Sequence, residues 1–385
     1  MTPKPDPIYL DHNATTPVLP EVVDAMLPWL TEHFGNPSSN HVYGYRTREA
    51  VAGARQQVAE LIGCSADEVY FTSGGTESNN LAIYGVTAAR PDRKRIITSV
   101  IEHPATEMPC RFLQEQGFQV SWTSVDETGM VRLDAIEASI SQATSLVTIM
   151  HANSETGTLQ PIREIAAMAR AHGAVMHTDA AQTTGKIDYS VDELGIDLLS
   201  IVGHKMYAPK GIGALYVRSG TDIAPQFLGG GHEQGLRSGT ENVPYIVALG
   251  QACEIARKDG ALANERIRQL RDALWNALND RIPGLVLNGH PELRLPNTLN
   301  LRFPGVSGNA VLALAPEIAA STGSACHAED ESASAVIRAM GLSEAEALGS
   351  VRLTLGRGTG SEDISIAVES LERAFLTIQN RDQQS

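Results

Sequence analysis

Short apolar runs recur through the first two thirds of the chain, near 96–100, 146–150, 174–178, 198–202 and 214–217, separated by longer stretches with helical spacing. Runs this short and this apolar read as strands buried on both faces, and their alternation with helices predicts a mainly parallel sheet covered by helices. Arg46 to Ile62 reads as one such helix, with Val51, Ala54, Val58 and Leu61 on one face. After about Gly260 the order changes. A long polar helix precedes candidate strands at 285–287, 298–301 and 351–355, and the last helix spaces Ile364, Val368, Leu371, Phe375 and Ile378 by fours and threes, a buried stripe. The pattern predicts an α/β chain with a large mainly parallel-sheet domain over 15–260. A smaller α+β domain is formed by 261–385 together with 1–14.

The chemistry starts at Lys205, which leaves the core at the end of the Leu198–Val202 strand in the stretch Gly203 to Gly213. An isolated lysine after a strand is ordinarily a surface residue. One partly desolvated beside another cation loses basicity and becomes nucleophilic, able to form a Schiff base with pyridoxal phosphate. Asp179 ends the 174–178 strand, where a carboxylate can pair with a pyridinium nitrogen and make the ring an electron sink. It equally suits the N-cap of a following helix. Thr72-Ser73-Gly74-Gly75-Thr76 precedes a helical pattern through Leu81, Ile83 and Tyr84. Glycines before a helix N-terminus let backbone N–H groups approach a phosphate, although the same residues serve ordinary capping. The spacing matches neither a Walker loop nor a dinucleotide fingerprint.

Ten motifs in order, from Tyr9–Pro17 and Gly35–Ser39 through Thr72–Asn80, Glu102-His103, Asn153–Gly157, Asp179–Gln182, Gly203–Gly213, Gly229–Thr240 and Ser321–His327 to Arg352–Arg357, span nearly the whole chain. In this order they resemble the NifS/IscS type of cysteine desulfurase, pyridoxal-phosphate enzymes of fold type I, the aspartate aminotransferase-like fold. The resemblance implies that Gly75 and Thr76 hold the phosphate, His103 stacks on the cofactor ring, and Gln182 contacts its phenolic oxygen. Asn153 is expected near that oxygen and the substrate carboxylate, and His204 near the phosphate. Thr240 is expected to reach the phosphate of a second subunit in a homodimer. Val202 departs from the pattern, standing where a Ser is usual, so a hydroxyl contact is missing. Without the resemblance, His103 before Pro104 reads as a loop histidine, and Asn153 and Gln182 as side chains satisfying strand ends. Arg357 resembles the arginine that takes the substrate α-carboxylate in two parallel hydrogen bonds; Arg352 competes for that role, and either suits a structural ion pair.

Cys326 separates this family from ordinary aminotransferases. It stands in Ser321–Ala328 among small and polar residues, before the acidic run Glu329-Asp330-Glu331, a setting unlike that of a core cysteine. An ordinary thiol is only a few per cent ionised at neutral pH; His327 would raise that fraction and the three carboxylates lower it. The implied reaction converts L-cysteine to L-alanine and leaves a persulfide on Cys326. Lys205 moves the α-proton and His103 shuttles a proton at sulfur. A selenocysteine lyase is the alternative, since Val202 and the pair Cys326-His327 look more like that branch. Sulfur acceptors in iron–sulfur assembly, tRNA thiolation and DNA phosphorothioation all fit, and the sequence selects none.

Four cysteines, Cys64, Cys110, Cys253 and Cys326, lie far apart without disulfide or zinc spacing, which suits a reducing, cytoplasmic setting and no bound metal. No stretch approaches a membrane span and the N-terminus lacks the apolar run of a signal peptide. The formal net charge of −15 argues against nonspecific binding to nucleic acid or anionic membranes.

Overall fold

The structure is a computed structural model that describes residues 6–323 and 333–382. Seven strands form its main sheet, in the order Val69–Thr72, Gly213–Val217, Leu198–Val202, Val175–Asp179, Thr144–Thr148, Arg95–Ser99 and Gln119–Thr123. The last five run parallel to one another, whereas Gly213–Val217 is antiparallel to both of its neighbours. Consecutive strand residues feed opposite cores. Ile97, Val147, Met176, Leu199 and Tyr216 join helices Val42–Ile62 and Ile162–Ala171 on one face, while Ile96, Leu146, Val175, Leu198 and Leu215 meet helices Gly75–Ala89 and Pro104–Glu115 on the other. Both faces are covered, which is why consecutive apolar residues recur in these strands instead of strict alternation, and why their polar residues, such as Thr98, Ser145, Thr178 and Ser200, are buried as well.

A separate core gathers around an antiparallel sheet of Val286–Asn288, Thr298–Arg302 and Ser350–Thr354. Val368, Leu371 and Phe375 of the last helix, Ser361–Asp382, pack there. So does Leu10, following Ile8–Tyr9, which pairs in parallel with Ile318–Ala319. The N-terminal segment thus joins the second core, and Asn13 to Thr16 continue from it to the first.

Two features depart from the pattern-based expectation. The polar helix expected after Gly260 begins at Val243 and runs unbroken to Arg281, with Leu249 and Cys253 in the first core and Leu274 and Leu278 in the second. Each of its two interior glycines, Gly250 and Gly260, costs about 1 kcal/mol, too little to break a helix anchored at both ends. The strand Gln119–Thr123 had no clear signal, because an exposed edge strand with two apolar residues lacks a buried run.

The parallel arrangement determines where chemistry collects. The strands ending at Ser99, Thr148, Asp179 and Val202 leave the sheet along one edge, and the strand ending at Thr72 points the same way. Ligands in open α/β sheets bind outside that carboxyl edge.

Candidate active site

At the carboxyl edge the chain turns from Thr72 directly into the Gly75–Ala89 helix. Gly74 at its N-cap has φ +146°, which L side chains rarely adopt. Gly75 has no room for a side chain: a Cβ there would lie 2.5 Å from Val202 Cγ2. Gly75, Thr76 and Val202 line an open cavity, to which the first turn of this helix offers backbone N–H groups.

Asp179 lies in the same cavity and is buried. Its Oδ2 accepts from Asn79 Nδ2 at 2.7 Å and its Oδ1 from the Ala181 N–H at 2.9 Å. The second bond is the local turn that a capping role would provide, but no helix follows. The first, from the second turn of the glycine-led helix, orients the carboxylate from the side.

Lys205 ends the short turn Gly203–Lys205 and lines the cavity beside His204 and Gln182. Its Nζ donates to the main-chain carbonyls of Asn13 at 2.5 Å and Ala14 at 2.7 Å, carried in by the N-terminal segment. Burial, with Lys205, Lys210 and His103 adding to it, pushes His204 down to about 4, so its ring is neutral at pH 7. Its Nδ1 lies 3.1 Å from Thr15 Oγ1. His103 also lines the cavity and caps the Pro104–Glu115 helix by accepting the Ala105 N–H on Nδ1 at 3.1 Å. That bond leaves the proton of the neutral ring on Nε2. Burial holds His103 below the ordinary imidazole value; Asp179 opposes this and Lys205 reinforces it.

The remaining sequence-derived candidates fall elsewhere. Asn153 is buried and committed to the backbone, accepting from the N–H groups of Glu155 at 2.9 Å and Thr156 at 3.0 Å and donating to the Ile101 carbonyl at 3.3 Å. It lines a neighbouring cavity with Ser321–Gly323 and Ser334. Thr240 is exposed on the surface. Arg357 lines a smaller cavity that also touches Lys205, its guanidinium 5.7 Å from the centre of the Tyr207 ring. The arginine in the cavity with Asp179 is Arg352, fully buried, with Nη2 2.7 Å from Asp11 Oδ1 and Nη1 donating to the Ser154 carbonyl at 3.2 Å. Cys326 and His327 lie outside the described residues.

Three residues that the motifs contain or adjoin had no role in the sequence reading. Asn79 holds Asp179, and its place one turn into the helix after Gly75 was the available signal. Asn13 bonds Lys205 through its carbonyl, and through its amide nitrogen it bonds Thr298 Oγ1 at 2.9 Å and the Ser154 carbonyl at 3.1 Å. Lys186 is buried, four residues after Gln182, and donates to Gln182 Oε1 at 2.9 Å.

Residues 8–366 match the model of the aminotransferase class-V family. The cysteine desulfurase IscS of Dictyoglomus turgidum is 46% identical over 369 residues, covering 95% of this chain and 94% of that protein. Among solved structures, a NifS-like protein superposes with a TM-score of 0.89 at 35% identity, covering 95% of this chain and 98% of its own. SspA in complex with cysteine superposes at 0.82 and 38% identity, covering 90% and 98%. The fold is therefore type I of the pyridoxal-phosphate enzymes, and the chain belongs to the cysteine desulfurases of the aminotransferase class-V family.

Proposed function

We propose that this protein converts L-cysteine to L-alanine with pyridoxal phosphate held between Asp179, Lys205 and the Gly75–Thr76 helix start, and passes the sulfur to Cys326. The single observation that carries the reading is the meeting of an amine, a laterally held carboxylate and a glycine-led helix N-terminus in one cavity. That donor set fits the cofactor. The amine suits an aldehyde, the carboxylate a pyridinium nitrogen and the helix start a phosphate. Val202 brings no hydroxyl, so the phosphate contacts there fall to backbone N–H groups, Thr76 and His204.

When bound, pyridoxal phosphate supplies an electron sink for the substrate α-carbon. Lys205 takes the α-proton and returns a proton later in the cycle. His103, with its proton on Nε2, serves the substrate sulfur as a proton shuttle. Arg352, and not the Arg357 expected from the motif, is the residue we assign to the substrate carboxylate, because it lines the cavity that holds Lys205 and Asp179. Asn153 then acts indirectly, shaping the turn that carries Ser154. The Cys326 thiolate attacks the substrate sulfur, the carbon–sulfur bond breaks toward carbon, and the carbon gains a proton. The balance is cysteine plus a thiol giving alanine plus a persulfide. Burial pushes the thiols of Cys64 and Cys110 up to about 12 and raises that of Cys253, so these three are poor nucleophiles at neutral pH.

The comparisons favour cysteine over the selenocysteine alternative, since the relatives are named for cysteine desulfurases. We further infer a homodimer in which Thr240 reaches the second subunit's phosphate, a reading favoured by the exposed Phe34, Val42, Tyr43 and Tyr45. Delivery of the persulfide to an acceptor protein, with iron–sulfur assembly as one destination, and a cytoplasmic location complete the proposal. Among the described residues no helix is long and apolar enough to cross a membrane.

The test compares two variants. Lys205→Ala should lose the visible absorbance of bound pyridoxal phosphate, whereas Cys326→Ala should keep the colour and lose sulfide release. Full-rate desulfuration by Cys326→Ala would refute transfer to that cysteine, and strong preference for selenocysteine would revive the lyase.

A further inference from the structure

Lys186 lies outside the mechanism above, yet it is buried directly behind the cavity wall. Its Nζ donates to two amide oxygens, Gln182 Oε1 at 2.9 Å and Asn13 Oδ1 at 3.1 Å. An ammonium has three donors and no acceptor, so it fixes which end of each amide it meets. With Oε1 taken, Gln182 turns its nitrogen the other way. Nε2 donates to the Asn13 carbonyl at 3.0 Å, the same carbonyl that accepts from Lys205. One of the two N–H groups of that nitrogen has this bond, and the other has no partner among the described residues.

We propose that Lys186 is a positioning residue that sets the polarity of the cavity wall, holding Gln182 with its remaining N–H donor presented to an acceptor oxygen of the bound cofactor. The inference rests on the pyridoxal-phosphate reading above. The same ammonium holds the Asn13 side chain, whose Oδ1 also accepts from Asn297 Nδ2 at 3.0 Å, and so steadies the backbone carbonyl that meets Lys205. Without Lys186, Gln182 Oε1 is a buried acceptor with nothing to accept from, and only the Nε2 bond to the Asn13 carbonyl still holds the amide in this orientation. Rotation would present oxygen to oxygen. Burial, and then the cations Lys205 and Arg352, push Lys186 down to about 7, which is the electrostatic cost of placing an amine here without a carboxylate. A residue serving only to fill space would be apolar.

The experiment uses apoprotein titrated with pyridoxal phosphate, followed by tryptophan fluorescence and by the visible band. Colour formation by the wild-type protein tests the cofactor reading separately. Lys186→Met keeps the length and removes the donors; it should weaken pyridoxal phosphate binding at least fivefold and shift the pH midpoint of the visible band upward. Lys186→Gln, which restores an amide nitrogen with two N–H donors, should recover most of the affinity. In a Gln182→Leu background, Lys186→Met should change the affinity by a clearly smaller factor than in the wild-type background, because one of the two amides it orients is gone and only its bond to Asn13 remains. Gln182→Leu leaves Lys186 in place and should by itself weaken binding, so the idea stays exposed even where Lys186→Met does not fold. Wild-type affinity and band midpoint in Lys186→Met, or wild-type affinity in Gln182→Leu, would overturn the proposal.

Discussion

Arg352, which lines the cavity, forms an ion pair with Asp11 at 2.7 Å, with the arginine side chain 2% exposed and the aspartate 18%. The pair joins the N-terminal segment to the Ser350–Thr354 strand and holds the guanidinium beside Lys205 and Asp179. Nη1 and Nη2 each carry a second N–H beyond their bonds to the Ser154 carbonyl and Asp11, and those are the donors assigned to a substrate carboxylate, while Nε is buried without a partner among the described residues. Arg352→Lys keeps the charge but loses the planar fork, and charge-assisted hydrogen bonds contribute about 1.5–3 kcal/mol. The expected result is a fall of roughly 10- to 100-fold in kcat/KM for cysteine, mostly in KM. Arg357→Ala, outside that cavity, should change it by less than about threefold. Steady-state alanine formation distinguishes the two, and the reverse ranking would restore Arg357 to the substrate.

Gly75 and Val202 make a second coupled pair. A Cβ on residue 75 would meet Val202 Cγ2 at 2.5 Å, while Val202 Cβ is 3.8 Å away, an ordinary contact. Gly75→Ala should therefore destabilise the protein by about 1–3 kcal/mol through overpacking, although alanine favours a helix. Adding Val202→Ala removes the clashing methyl. Thermal melts should show the double variant recovering most of the loss, and simple additivity of the two substitutions would contradict this cause.

Asn79 is expected to act through Asp179. Its Nδ2 also donates to Thr106 Oγ1 at 3.0 Å, and its Oδ1 has no partner among the described residues, so Asn79→Leu removes donors without stranding the amide oxygen. Losing a hydrogen bond to a carboxylate costs about 1.5–3 kcal/mol. Pyridoxal phosphate affinity of the apoprotein should drop by roughly tenfold or more, and Thr106→Val should have little effect. Equal losses in both variants would point to packing of the helix instead.

Much of this architecture was legible because burial on both faces leaves an unmistakable apolar run, and parallel strands ending together bring Asp179 and Lys205 to one edge. Positions that depend on side-chain direction were not legible. Arg352 and Arg357 flank the end of one strand, and five residues of sequence do not say which enters the cavity; only the pairing of Ser350–Thr354 with the second core resolves it. Asn153 shows the converse. Its place in a matching motif suggested substrate contact, while three backbone hydrogen bonds occupy its amide. Lys186 gave no signal beyond its spacing from Gln182, since a lysine buried without a carboxylate runs against composition-based expectation.

Glu102, beside His103, gives the last expectation. Its carboxyl is buried, with Oε1 2.6 Å from Ser99 Oγ and both oxygens 3.1 Å from the Met150 N–H. Burial pushes it up to about 8 against those hydrogen bonds, with Asp179 adding to the rise. A carboxyl near 4.3 in the unfolded chain and about 8 in the folded one binds its proton more tightly when folded. Its contribution is therefore fully present below about pH 4.3 and is lost as pH rises toward 8, by at most about 1.4 kcal/mol per unit. Glu102→Gln keeps an acceptor for the Met150 N–H and removes the titration. Melting curves of the loaded proteins should show a shallower decline between pH 5 and pH 8 for the variant than for the wild type, every other titrating group being common to both. Parallel curves would mean that Glu102 is ionised in the folded protein and that its bonds to Ser99 and Met150 outweigh burial.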